Sequence, residues 1–141
     1  MRTPVVVVLL AVAVGLPACA GETDVRAELC SDMGNLAATV QALATTPDDG
    51  RIGTVRGDLE KLDPTFGHVS SSGLVEESTL QPLLQAHVGY RDAIWDLGDD
   101  ETYLAVPVQV RARADDLAVA YAQVVDALGC QLARSAASSA G

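Results

Sequence analysis

The chain has 141 residues, with 9 Lys and Arg against 19 Asp and Glu, giving a formal net charge of −10. That length suits one ordinary domain. So acidic a chain repels phosphate, which excludes a basic nucleic-acid binder. With 49% hydrophobic and 20% charged residues, wholesale disorder is excluded as well.

Residues 1–18 read as a signal peptide. Arg2 gives a short basic start, and Pro4 to Val14 are apolar throughout. No charge returns until Glu22, and Pro17 with the small residues around it argues against a full membrane helix. Leu16-Pro17-Ala18-Cys19 resembles the bacterial lipobox, with Leu three places before Cys and a small residue just before it. Pro17 departs from the usual Ala, Ser or Thr at that place. The resemblance implies a diacylglyceryl thioether on Cys19 and cleavage before it. Ala18-Cys19-Ala20 also fits an ordinary A-x-A site, with cleavage after residue 20. Under the lipoprotein reading, residues 19–24 form a flexible tether.

Three cysteines are present, Cys19, Cys30 and Cys130. Either cut removes Cys19 or lipidates it, leaving two thiols in an exported chain, where disulfides persist. A Cys30–Cys130 bond is therefore expected. It closes a loop of about 100 residues, which contributes about 4.7 kcal/mol in the chain-entropy model.

Four amphipathic stretches follow at helical spacing, filling a domain over residues 25–134. The first carries Val25, Leu29, Met33, Leu36, Val40 and Leu43. Thr46-Pro47-Asp48-Asp49 reads as the cap and first turn of the next helix. That second stretch carries Ile52, Val55, Leu59 and Leu62, and glycines at 50, 53 and 57 weaken it. Asp63 to Gly73 reads as the longest loop. The third stretch runs from Leu80 to Leu97, with Pro82 early and Gly98 as its terminating glycine. The fourth runs from Val110 to Leu132. Val106, Val108 and Val110 alternate as in a strand, but Pro107 at a helix start explains the same residues. Gly129 suits the end of the fourth helix and frees Cys130 to turn toward Cys30. Residues 135–141 form a flexible tail. The expected fold is all-α, an up-down-up-down four-helix bundle, which brings the two cysteines to one end.

No catalytic constellation emerges. His68 and His87 lie in no metal-binding spacing, and no carboxylate falls on the apolar stripes. The pairs Asp48/Asp49, Glu76/Glu77, Asp99/Asp100 and Asp115/Asp116 read as solvated acids, mostly near helix starts and loops. His87 and Met33 both face inward, the one pairing that suits a bound cofactor. Ser70-Ser71-Ser72 has no base to activate it.

The chain as a whole resembles small actinobacterial envelope proteins, which pair an N-terminal signal with a short helical domain bearing a cysteine near each end. Its preference for Arg over Lys, and for Ala and Val, fits that association. The resemblance implies no catalytic or metal-binding residue and no cofactor. The expected role is a non-enzymatic binding or accessory module. It is held to the extracytoplasmic face of the cell membrane by an N-terminal lipid and serves an envelope protein partner. The alternative is a secreted helical carrier of a small ligand or cofactor around His87 and Met33. Alkylation of the native protein without reductant should leave Cys30 and Cys130 unmodified by mass; labelling of both would remove the expected staple.

Overall fold

The structure, a computed structural model, describes residues 18–130. It is all-helical: α1 (Ala18–Ala44), α2 (Ile52–Ser72), α3 (Glu77–Trp95) and α4 (Val108–Ala127), with a short 3₁₀ turn at Tyr103–Ala105. Each helix packs on its sequence neighbours, and α1 closes the ring against α4. This is the expected four-helix bundle. The signal segment, the tail and the side chain of Cys19 lie outside the described residues.

One spacing rule builds the core. Buried side chains alternate steps of four and three: Leu29, Met33, Leu36, Val40 and Leu43 on α1, then Ile52, Val55, Leu59, Leu62, Phe66 and Val69 on α2. Leu80, Leu83, His87, Tyr90 and Ile94 continue it on α3, and Ala114, Leu117, Tyr121 and Val124 on α4, with Leu128 at its C-cap. A repeat near 3.5 residues keeps each stripe facing the bundle axis along its whole length. Val25, read from sequence as a stripe position, is 42% exposed.

Three segments differ from expectation. Residues 63–72 are not a loop but the second half of α2. Pro64 lacks the N–H that would bond the Glu60 carbonyl, yet Glu60 and Pro64 are both exposed, so that carbonyl lies on the solvent side. Meanwhile Leu62, Phe66 and Val69 are buried, and this burial outweighs the lost bond. Ser71 and Ser72 turn their hydroxyls onto the carbonyls of His68 and Val69 as the helix ends at Gly73, φ 71°.

Residues 20–24 are helical rather than a flexible tether, because α1 starts at Ala18. Thr46 does not cap α2. Its Oγ1 donates to the carbonyls of Ala42 and Leu43, finishing α1, and α2 begins only at Ile52. Gly98 does not adopt a positive φ; α3 ends at Trp95, with Asp96 as its C-cap in right-handed geometry.

The other end follows the sequence closely. Pro107 is the N-cap of α4, and no strand forms among the described residues, only an isolated bridge between Arg51 and Thr102. Gly129 has φ 72°. Its N–H donates to the Asp126 carbonyl at 2.9 Å, and Cys130 N–H to that of Val125 at 3.1 Å. This Schellman arrangement satisfies the last carbonyls of α4 and reverses the chain. Cys130 thereby meets Cys30 in a disulfide, with Cα atoms 5.4 Å apart. Beside it, Arg26 of α1 donates to the Leu128 carbonyl at 3.0 Å.

Phe66→Ala tests the extension of α2. Deleting a ring that is 2% exposed should cost about 3–5 kcal/mol in a urea titration, whereas a surface-loop position would lose under about 0.5 kcal/mol.

Candidate functional site

The end of the bundle opposite the disulfide carries the 45–51 and 96–107 connections. No side chain caps α2 at Arg51. Instead Ile52 N–H donates to the Glu101 carbonyl at 3.0 Å and Gly53 N–H to that of Asp99 at 3.2 Å. In return, Tyr103 N–H donates to the Gly50 carbonyl at 2.7 Å and Leu104 N–H to that of Asp48 at 2.9 Å. The helix start is therefore capped by the other loop's backbone.

Two arginines lock this pairing. Arg111, from the first turn of α4, donates Nε to the Val106 carbonyl at 3.0 Å and Nη2 to that of Tyr103 at 2.8 Å. Its Nη1 reaches Asp48 Oδ1 at 2.5 Å, and its guanidinium lies over the Tyr103 ring at 4.9 Å. Arg56, from α2, spans the first part of the loop. It donates to Asp99 Oδ1 at 2.6 Å, to the Trp95 carbonyl at 3.0 Å and to the Leu97 carbonyl. It also lies over the Trp95 ring at 5.4 Å. A planar fork that bridges several carbonyls suits arginine and not lysine. Below, Tyr90 and Tyr103 hydroxyls meet at 3.1 Å in the core. Burial pushes the Tyr90 hydroxyl's pKa far above its ordinary value, and the bond to Tyr103 adds to the rise.

On this hydrogen-bonded frame, two aliphatic side chains face water: Leu104 is 67% exposed and Val108 78% exposed. Exposed acids lie on the same two connections: Asp48 and Asp49 on one loop, Asp96, Asp99, Asp100 and Glu101 on the other. The nearby arginines are occupied. Arg56 and Arg111 hold the loops, and Arg51 lies 3.7 Å from Asp100. Sequence reading registered the acid pairs but missed Arg56, Arg111, Leu104 and Val108. The available signal was that Leu104 and Val108 are apolar yet precede the stripe that begins at Val110.

His87 and Met33 are both buried, each with its own partners. His87 is 3% exposed, its Nε2 3.4 Å from the Leu59 carbonyl and 3.4 Å from Asp63 Oδ1. A carbonyl only accepts, so Nε2 carries the proton. The ring stands edge-on to Phe66 at 5.2 Å. Met33 is fully buried and its carbonyl accepts the Tyr121 hydroxyl. Burial raises that hydroxyl's pKa to about 12. Among the described residues, no group of three or more His, Cys, Asp or Glu is placed to hold a metal ion. An open hollow of about 560 Å³ lies between α3 and α4, lined by Gln85, Arg113, Asp116, Val119 and Gln123 among others. A smaller notch of about 260 Å³ between α1 and α2 is bordered by Glu28, Asp32 and His68.

The fold and its ends thus define a disulfide-closed helical bundle with one loop end cross-linked by hydrogen bonds. No protein-family model, curated protein or solved structure matches the chain.

His87 gives the fold a pH dependence of fixed sign. Burial lowers its pKa below 6.5, against the opposing pull of Asp63; Arg91, 3.5 Å from Asp63, adds to the lowering. As pH falls through 6.5 the unfolded chain takes up the proton first, so this contribution to stability is present above that pH and lost below it. Urea midpoints of the wild type should fall between pH 7 and 5 more steeply than those of His87→Gln. Equal slopes would show that His87 does not carry the effect.

Proposed function

We propose that the chain is an envelope lipoprotein. It is anchored through acyl chains on Cys19 at the extracytoplasmic face of the cell membrane and acts there as a non-enzymatic binding or accessory module. The observation that carries this reading is Leu16-Pro17-Ala18-Cys19 directly after an apolar, uncharged run. Two acyl chains hold a protein on a bilayer stably, where one chain holds it only marginally. A Cys30–Cys130 disulfide suits the oxidising compartment to which such a signal directs a chain.

The geometry gives the reading a direction. α1 runs unbroken from Ala18 into the core, so an anchor at Cys19 joins the bundle through helix. The loop end then faces away from the bilayer. With α2 at 21 residues, it stands about 30 Å from the disulfide end. Among the described residues no helix is long and apolar enough to cross a membrane.

The test is the intact mass of the protein from its native membrane fraction. A chain starting at Cys19 with added acyl mass is the expected result. A chain starting at Gly21 without lipid would overturn the anchor and leave a free secreted protein, the setting of a soluble carrier.

A further inference from the structure

We propose that the loop end docks a partner protein through a positively charged segment that presents an apolar side chain to Leu104 and Val108. This rests on the reading of the chain as a binding module and names the surface that does the binding.

Three observations converge on it. Leu104 and Val108 are the most exposed large apolar side chains described, at 67% and 78%. They flank Pro107 at the turn into α4, where water is the costly neighbour for an aliphatic group. Their backbone is held in advance. Leu104 N–H is bonded to Asp48, Arg111 spans the carbonyls of Tyr103 and Val106, and Tyr103 is anchored to Tyr90. A surface already fixed loses little conformational freedom on binding, which favours affinity. Finally, the surrounding charge selects the occupant. Six exposed acids stand at this end; Asp48, Asp99 and Asp100 are paired with Arg111, Arg56 and Arg51, and Asp49, Asp96 and Glu101 remain as its negative surplus.

That charge rejects two other occupants. A second copy brings the same acidic end or another surface of a chain with net charge −10, and an anionic lipid surface is repelled likewise. A basic segment gains attraction at the rim and buries the aliphatic pair at the centre, the usual division between polar rim and apolar core.

Photo-crosslinking tests this with the full chain in its native host. A photoreactive residue replaces Leu104, and in a control it replaces Val119, which is also exposed at 60% but lies on the α3–α4 hollow. The expected result is a product specific to position 104 whose attached peptide is net positive and carries an apolar residue. That peptide, synthesised and titrated against the purified full chain, should bind about tenfold or more weakly to Leu104→Asp and to Val108→Asp. Asp49→Asn/Asp100→Asn should weaken it further and flatten its salt dependence. Unchanged thermal unfolding of these surface variants separates lost docking from lost folding. Crosslinks to a second copy, to lipid or to an acidic segment would overturn the proposal, as would equal products at both positions or none at 104. The anchor is judged separately: a chain without acyl mass that still crosslinks through position 104 loses the tether and keeps the docking surface, and an acylated chain without that product does the reverse.

Discussion

Four stripes of apolar side chains, each stepping by fours and threes, have to leave water together, and the rest of the molecule accommodates that requirement. α2 shows its strength. The stripe from Ile52 to Val69 carries the helix past Pro64 and into three consecutive serines. A proline costs a helix interior about 3 kcal/mol. Burying Leu62, Phe66 and Val69 contributes about 1.5–3 kcal/mol each, so burial wins and the helix continues. His87 obeys the same constraint. It occupies a stripe position, and the fold satisfies it with the Leu59 carbonyl and Asp63 rather than moving it to the surface.

The two ends of the bundle solve the problem of helix termini in different ways. At the disulfide end the solution is local. Gly129 takes the left-handed conformation, the Schellman bonds close, and Cys130 is delivered to Cys30. At the loop end it is non-local. The first N–H groups of α2 are met by carbonyls some fifty residues away, and two guanidinium groups gather carbonyls of the connection between α3 and α4. That arrangement leaves Leu104 and Val108 outside a hydrogen-bonded frame, so the paired loops and the most exposed apolar side chains described are adjacent. A lipid anchor at the opposite end would present this surface outward.

The readings that failed share one cause. Pro64, the serines and Gly73 are each a local breaker signal, and together they read as a loop; only the inward positions of Phe66 and Val69 show otherwise. Thr46 and Pro47 carry the local chemistry of a helix start, yet Thr46 bonds backward to Ala42 and Leu43 because α2 is capped from the other loop. Gly98 was available as a terminator, but its N–H is instead taken by the Glu101 carboxylate at 2.7 Å.

Sequence alone determined what depends on periodicity and on parity: four amphipathic helices, an all-α bundle, two cysteines meeting at one end, and Gly129 as the turn that joins them. Those features follow from residues a few places apart or from topology with short connections. Tertiary structure decided what depends on residues far apart in the chain: the length of α2, the pairing of the two loops, the roles of Arg56 and Arg111, and the exposure of Leu104 and Val108. A guanidinium can be read as a clamp only when the carbonyls it spans have been brought to it, and an aliphatic side chain as a surface only when every helix that might have covered it has been placed.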